Sequence, residues 1–171
     1  MDPTSPVQVM FVPSYLNGVD GIFDKDYYEL LCGMDVTVFP SYYEPWGYTP
    51  LESVAFSVPT ITTSLAGFGL WVAEHCKEHK GVEVIDRNDA NDSEVVTEIA
   101  SSIEKFCNMS AKEYASYQES ALKTSEIALW ENLYAYYAHA YDVALARMTE
   151  RSSGFKYEGG GDQNEQINFV R

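Results

Sequence analysis

The chain has 171 residues, of which 46% are hydrophobic and 14% aromatic, which is the composition of a globular protein with a core and not of a disordered one. Its formal net charge is -15 at pH 7, from 26 acidic and 11 basic residues. Because nucleic acids and anionic membrane surfaces are bound through Lys and Arg, this charge argues against both as partners.

The spacing of the cysteines and the length of the apolar runs predict the compartment in which the protein works. Cys32, Cys76 and Cys107 lie far apart, and an odd number without a framework spacing predicts reduced thiols in a cytoplasmic protein. No apolar run reaches the length of a membrane span, and residues 1–6 lack the basic and apolar parts of a signal peptide.

The first predicted elements are a strand, a helix and a second strand. Residues 7–12 are apolar, lie between Pro6 and Pro13, and predict a strand. After a loop with two turn signals, a short helix is predicted at residues 24–34, with Asp24 or Asp26 as its N-cap. The apolar run at residues 36–39 predicts a buried strand that ends at Pro40.

Alternating helices and strands are predicted from there to residue 125. The helices are expected at residues 50–56, 70–79, 93–108 and 110–125, and the strands at 60–63 and 82–85. Ser93 and Ser110 are the predicted caps of the last two helices. The helix at 93–108 has a predicted buried face made of Val95, Val96, Ile99, Ile103 and Phe106.

A long aromatic helix is predicted at residues 126–151, and a mobile polar tail at residues 152–171. The whole pattern predicts a Rossmann-like α/β domain at residues 1–151, with a parallel sheet of about four strands flanked by helices. Because nucleotide-binding Rossmann domains usually have about six strands, we expect this domain to be partial, with the chain beginning inside it.

The stretch from Ser41 to Glu52 follows the predicted strand at 36–39 and reads Ser-Tyr-Tyr-Glu-Pro-Trp-Gly-Tyr-Thr-Pro-Leu-Glu. Open α/β sheets bind ligands at the carboxyl ends of their strands, and the free N–H groups of a helix's first turn bind anions. Glu44 and Glu52 lie on either side of such a turn. Their carboxylates could accept hydrogen bonds from sugar hydroxyls on either side of a phosphate, which is the layout of a nucleotide-sugar.

Two local patterns have other interpretations. Thr49-Pro50-Leu51-Glu52 also fits a capping box, with Thr49 as N-cap and Glu52 serving only as a cap. His75 and His79 have a spacing that suits a metal on one helix, but no third ligand cluster accompanies them, and a solvated helix end is the preferred interpretation.

Glu-Pro-Trp-Gly-Tyr-Thr-Pro at residues 44–50, together with Thr-Thr-Ser-Leu-Ala-Gly-Phe-Gly at residues 62–69, resembles the donor-site region of the eukaryotic-type glycogen synthases. These are retaining glycosyltransferases of the GT-B type, with two facing Rossmann-like domains. The likeness extends from about residue 7 to residue 68. Since the family's chains are several times longer, this sequence resembles their carboxyl-terminal part.

The resemblance implies a role for each matching position. Glu44 would be the catalytic carboxylate beside the transferred glucose, stabilising positive charge at the anomeric carbon. Glu52 would bind the ribose. The other implied donor-binding residues are Trp46 and Gly47 at the sugar, the backbone of Tyr48 and Thr49 at the diphosphate, the loop Gly67, Phe68 and Gly69, and Tyr27, which would stack on the base or serve as a core aromatic.

The family uses no metal or other cofactor and neutralises the leaving diphosphate with a lysine and an arginine. Those residues lie upstream of this chain's start, and Lys25 is the one base between Met1 and Glu74. The acceptor site for the α-1,4-glucan also belongs to the family's amino-terminal domain, on which the last helix packs. We therefore expect half a donor site, no turnover by this chain alone, and an aromatic stripe that is exposed or used in a homo-oligomer.

One departure from the family pattern leaves the donor open. The arginine-rich helix that binds glucose 6-phosphate in animal and fungal members corresponds to residues 109–130, where only Lys112 and Lys123 are basic. This suggests a bacterial relative, so UDP-glucose and ADP-glucose are both candidate donors. The alternative to an enzyme is a non-catalytic module that binds a nucleotide or a partner protein.

Overall fold

The computed structural model describes residues 4–154, without the side chains of residues 149, 150 and 152–154. The described chain forms two compact units, one that ends at Leu129 and one that begins at Trp130. The first unit is α/β and contains the sheet. In the described part of the chain, no helix is both long and apolar enough to cross a bilayer.

The sheet of the first unit has three parallel strands, β1 (Thr37–Val38), β2 (Thr60–Thr63) and β3 (Val82–Ile85), in the order β1-β2-β3. Thr60 is the register partner of both Thr37 and Val82. The predictions for β2 and β3 are confirmed at both ends, whereas β1 is two residues shorter than predicted.

The predicted strand at residues 7–12 is wrong. This segment forms no strand with the described residues, and its apolar side chains face solvent, with Val9 73% and Phe11 83% exposed. A strand needs a neighbour for its N–H and C=O groups and a second layer for its side chains. Residues 7–12 have neither here, so their β propensity is not enough.

The last four of the five described helices in the first unit pack against the sheet. The five are α1 (Tyr27–Leu31), α2 (Tyr48–Ala55), α3 (Gly67–His75), α4 (Asp92–Cys107) and α5 (Ala111–Ile127). The alternation predicted from the sequence is confirmed, but the helix boundaries differ, and α3 ends at His75, four residues before its predicted end. Both α2 and α3 begin earlier than predicted, and α1 is shorter because the left-handed backbone of Asp24 (φ 51°) leaves Asp26 as the N-cap.

Helix α5 has its predicted N-cap, whereas α4 differs from the prediction in both its N-cap and its buried face. Ser110 caps α5 as predicted, because its side chain accepts a hydrogen bond from the N–H of Glu113. Ser93 does not cap α4, whose N-cap is Asn91. Within α4, Val95 is buried but Val96 is 66% exposed, so only part of the predicted apolar face is buried.

The core lies on both faces of the sheet, because neighbouring residues of a strand point to opposite sides. One cluster consists of Val54, Phe68, Val72, Cys76, Val82 and Ala121, and joins α2, α3 and α5 to β3. The other consists of Ile61, Ile85 and Val95, and packs α4 against the sheet. Because both faces are covered, β2 is buried along its whole length although three of its four residues are threonines.

Hydroxyl groups join α2 to the sheet between the apolar clusters. The Oγ1 of Thr37 lies 2.6 Å from the Oγ of Ser53 and 2.9 Å from the Oγ1 of Thr60. Ser53 and Thr60 each donate a further bond to the carbonyl of Val58. Buried hydroxyls are costly unless paired, and this chain of bonds satisfies three of them at once.

The second unit contains α6 (Trp130–Gly154). Trp130, Tyr134 and Tyr141 are more than half exposed, which confirms that part of the aromatic stripe faces solvent. The predicted start at residue 126 is wrong, since α5 continues to Ile127 and α6 begins at Trp130, and α6 extends three residues beyond the predicted end at residue 151. Of the tail predicted at residues 152–171, the first three residues belong to α6 and the rest lie outside the described residues. The predicted domain boundary between residues 151 and 152 stays a prediction.

Candidate functional site

The loops that follow β1 and β2 are joined beside the carboxyl ends of these strands. The N–H of Glu44 donates to the carbonyl of Leu65 at 3.1 Å, and the carbonyl of Glu44 accepts from the N–H of Gly67 at 2.9 Å. These bonds form a parallel bridge between Glu44 and Ala66. They fix the backbone of Glu44, while its side chain is exposed to solvent.

Helix α2 begins directly after this bridge. Gly47 is its N-cap and has a left-handed backbone, with φ 103°, which L-amino acids with a Cβ adopt only with strain. An added Cβ would also lie 3.2 Å from the Cγ of Pro50 and 3.4 Å from the Cγ of Glu44. Gly47 is therefore required by the turn that brings Glu44 to the start of the helix.

The amino terminus of α2 has the features of the predicted anion site. Among the described residues, no side chain caps this helix. Because Tyr48 and Thr49 lie in the first turn, their N–H groups have no acceptor within the helix. Pro50 has no N–H to satisfy, so the turn presents two donors at the positive end of the helix dipole.

The capping box predicted for Thr49 and Glu52 is wrong. The left-handed turn at Gly47 starts the helix at Tyr48, two residues before the position that the box requires. Glu52 is therefore the fifth residue of the helix, in its second turn and not in its first. Its carboxylate is free of the capping role that was the alternative to ligand binding.

Glu52 instead contacts α1. Its Oε1 accepts a hydrogen bond of 3.0 Å from the hydroxyl of Tyr28, and this bond raises the pKa of the Tyr28 phenol. The ring of Tyr28 stacks on Phe56 at 5.4 Å between centroids, and against the edge of Tyr27 at 5.3 Å. The predicted base-stacking residue and the predicted ribose ligand thus lie together.

Tyr27 has an unusual environment for a tyrosine. Its hydroxyl is buried and has no hydrogen-bond partner among the described residues. Burial, and after it the negative charge of Glu52, raises the pKa of the Tyr27 phenol, so this group stays protonated. An unpaired buried hydroxyl costs free energy, which a ligand that supplies an acceptor would recover.

The glycines of the predicted Gly-Phe-Gly loop form the first turn of α3. A Cβ on Gly67 would lie 2.2 Å from the carbonyl oxygen of Pro45, and a Cβ on Gly69 would lie 2.4 Å from that of Thr63. Both glycines allow α3 to pack against the backbone of the neighbouring loops. Their contact with a donor stays a prediction.

Phe68 and Trp46 pack together beneath the site. The Phe68 side chain is fully buried in the core, and its N–H donates to the carbonyl of Trp46. The Trp46 ring contacts Phe68 at 5.9 Å and Trp71 at 5.8 Å between centroids. In the structure these two aromatic residues have a packing role, and their contacts support the loop that carries Glu44.

Arg87 was missed by the sequence analysis. It lies two residues after Ile85, the last residue of β3, and its side chain is 5% exposed. Its Nη1 donates to the carbonyl of Pro40 at 2.8 Å, its Nη2 pairs with Asp92 at 2.8 Å, and its guanidinium lies 3.4 Å from the centroid of the Tyr42 ring. Arg87 thereby fixes the start of the loop that carries Glu44. A base at the carboxyl end of a strand, in a strongly acidic chain, was the signal available.

Replacing Arg87 should destabilise the first unit. Arg87→Met keeps the apolar stem but removes three contacts of a buried group, so we expect a loss of about 2 kcal/mol in the free energy of unfolding. Urea denaturation of the chain measures this value. Lys123→Met is the matched control, because the Lys123–Glu119 pair on α5 is exposed to solvent and should contribute little to stability. Equal midpoints for both variants would contradict the role of Arg87.

Histidines and acidic side chains are the candidate ligands for a metal or another cation. In the described part of the chain, no group of three or more potential ligands could hold a metal. His75 ends α3 and contacts the carbonyl of Trp71, whereas His79 lies beyond the helix and contacts the carbonyl of Val82. Neither Glu44 nor Glu52 forms an ion pair with a described residue.

The chain matches the family model described as glycogen synthase over residues 2–168. It is 37% identical over 148 residues to "Glycogen [starch] synthase" of Caenorhabditis elegans, covering 85% of this chain and 22% of that protein. It is 32% identical over 146 residues to the human liver "Glycogen [starch] synthase", covering 84% of this chain and 21% of that protein.

The isoform 1 enzyme of Saccharomyces cerevisiae gives a similar result, with coverage of 85% of this chain and 21% of that protein. The chain therefore spans about a fifth of the length of the curated relatives it matches. The match also extends far beyond residue 68, so the expectation that the likeness fades there is wrong. The motif at residues 44–50, the α/β fold that carries it and this coverage lead to one conclusion: the chain belongs to the glycogen synthase family.

Proposed function

We propose that this chain supplies the nucleotide-sugar side of the donor site of a retaining glycogen synthase, which transfers glucose from a nucleotide-glucose to an α-1,4-glucan. The observation that carries this proposal is the bridge between Glu44 and Ala66. It holds an exposed carboxylate beside the uncapped amino terminus of α2. A donor lying across this turn would have its glucose on the Glu44 side and its ribose on the Glu52 side.

Each group would act on one part of the donor. The N–H groups of Tyr48 and Thr49 would donate to the diphosphate. Glu44 would stabilise the positive charge that develops at the anomeric carbon, as in glycoside hydrolysis, and we favour this electrostatic role over a covalent intermediate. Glu52 would accept from the ribose hydroxyls, and Tyr27 would face the base.

The leaving diphosphate needs cations that the described residues do not provide. Arg87, at the same edge of the sheet, is buried and engaged with Pro40 and Asp92, and Lys25 pairs with Glu29 at 3.5 Å. We infer that a lysine and an arginine from another part of a longer protein complete the site, together with the acceptor site. This chain alone would bind the donor without turnover.

UDP-glucose and ADP-glucose both fit, because the described contacts do not select a base. A cytoplasmic location, self-association through α6 and a bacterial origin stay predictions. The engagement of Arg87 and Lys25 also favours a second candidate function, a non-catalytic nucleotide-binding module. Assay of glucose transfer to a glycogen primer by the product of the complete reading frame separates the two.

Glu52→Gln should weaken binding of the nucleoside diphosphate. The change removes the charge that strengthens a hydrogen bond to ribose, so we expect a loss of about 1–3 kcal/mol in binding free energy. Calorimetric titration of the chain with uridine and adenosine diphosphates measures this loss.

The matched control for this experiment is Glu119→Gln, which removes an exposed carboxylate from α5. Its nucleotide affinity should equal that of the unmodified chain. A Glu52→Gln variant that changes the melting temperature alone, with unchanged affinity, would assign Glu52 to packing and not to the donor.

A further inference from the structure

Helices α1 and α2 are joined by a hydrogen bond that uses the proposed ribose ligand. The hydroxyl of Tyr28, the second residue of α1, donates to the Oε1 of Glu52 over a sequence separation of 24 residues. A hydrogen bond to a carboxylate is among the stronger ones between side chains. The rotamer of Glu52 is therefore set from α1, and not only by α2.

Tyr28 is itself held in place from two sides. The side chain of Asp26 accepts from the N–H groups of Tyr28 and Glu29, while Glu29 returns a contact to the N–H of Asp26, which completes a capping box. The Tyr28 ring also stacks on Phe56 with an interplanar angle of 20°. A phenol fixed in this way can direct the carboxylate that it contacts.

The contact uses one of the two oxygens of Glu52. An ionised carboxylate can accept about four hydrogen bonds through two oxygens, and no described side chain donates to Oε2. Glu52 is only partly buried, so a ligand can reach its side chain. This division of the carboxylate, with one oxygen held by protein and the other open, is typical of a ligand group that is oriented before binding.

We propose that Tyr28 is a positioning residue for ribose recognition: it holds Oε1 of Glu52 so that Oε2 is aimed at the ribose hydroxyls. This inference rests on the proposed function, because Glu52 must face the ribose. It extends that function by making sugar selectivity depend on α1, the helix that also carries Tyr27. The base-facing and ribose-facing parts of the site then act as one unit.

Tyr28→Phe tests this inference, because it removes the hydroxyl and keeps the ring that stacks on Phe56. The probes are uridine and adenosine diphosphates and their 2′,3′-dideoxy forms, titrated into the chain by calorimetry. We expect the variant to bind the ribose form about fivefold more weakly, the effect of misplacing one hydrogen bond. Affinity for the dideoxy form should not change, so selectivity for ribose should fall by the same factor.

Three further variants complete the experiment. Tyr136→Phe is the control, because it removes the same hydroxyl from an exposed tyrosine of the second unit. Glu52→Gln should lower ribose selectivity at least as much as Tyr28→Phe. In the double variant, the Tyr28 change should have no additional effect, because its target carboxylate is absent.

The outcomes distinguish the two proposals. If neither diphosphate binds, or if Glu52→Gln leaves ribose selectivity unchanged, the proposed site fails and this inference fails with it. If Glu52→Gln lowers selectivity and Tyr28→Phe does not, only the role of Tyr28 is overturned. Tighter binding by Tyr28→Phe would show that the phenol competes with ribose. Equal weakening of binding for the ribose and dideoxy diphosphates would show that Tyr28 has only a structural role. Either result would overturn the inference.

Discussion

Glu44→Gln should lower the rate of glucose transfer by about a hundred- to a thousandfold in a complete enzyme that carries this chain. The change removes the negative charge that would stabilise the oxocarbenium-like transition state and keeps the size of the side chain. The bonds that fix Glu44 are made by its backbone, so the bridge to Ala66 should remain. Affinity for the nucleoside diphosphate should therefore stay within about twofold, because the lost interaction acts mainly in the transition state.

The measurement compares steady-state transfer to a glycogen primer with diphosphate affinity in the same variant. Glu104→Gln is the matched control, since Glu104 is an exposed carboxylate of α4. Its kcat should equal that of the unmodified enzyme. Near-normal turnover by Glu44→Gln would remove Glu44 from the chemistry and leave it as a backbone element of the loop.

Gly67→Ala should give the largest loss of stability expected from a single methyl group near the site. The new Cβ would lie 2.2 Å from the carbonyl oxygen of Pro45 and 3.2 Å from the Cα of Trp46, both in the backbone. Relief of this clash must separate α3 from the loop that carries Glu44. We expect a loss of about 2–3 kcal/mol in the free energy of unfolding, at the upper end of overpacking effects.

Gly33→Ala is the control for this change, because its Cβ would meet only the carbonyl oxygen of Leu30, at 3.4 Å. Thermal and urea unfolding of the two variants measure the difference. If Gly67→Ala unfolds at the same midpoint as Gly33→Ala, the contact between α3 and the Pro45 carbonyl is too loose to define the site.

Strands β2 and β3 could be predicted because their signals are local. The runs at residues 60–63 and 82–85 are rich in β-branched residues, and Pro59 and Gly81 precede them directly. Residues 7–12 have equally good local signals, yet they form no strand with the described residues. Pairing depends on a neighbour that the segment itself does not encode, and this explains the failure.

The candidate site shows the same division between local and distant information. The loop and the glycine turn at residues 44–47 follow from the motif, which a short window contains. The contacts of Glu52 with Tyr28, and of Arg87 with Pro40 and Tyr42, join residues 24 to 47 positions apart. No rule of sequence spacing connects such pairs. A local rule did favour a capping box at Thr49, but the left-handed backbone of Gly47 starts the helix earlier, at Tyr48.

The hydrogen-bonded hydroxyls of Thr37, Ser53 and Thr60 determine how precisely α2 is placed on the sheet. A contact made only of apolar side chains would let α2 shift or rotate over β1 and β2 at little cost in free energy, because dispersion forces have no preferred direction. Hydrogen bonds weaken steeply when the angle at the donor hydrogen departs from linear. The three hydroxyl groups therefore fix both the distance of α2 from the sheet and its rotation about its own axis. The free N–H groups of Tyr48 and Thr49 belong to the same helix. Their direction in space therefore depends on three small hydroxyl side chains, one in the second turn of α2 and two in the sheet.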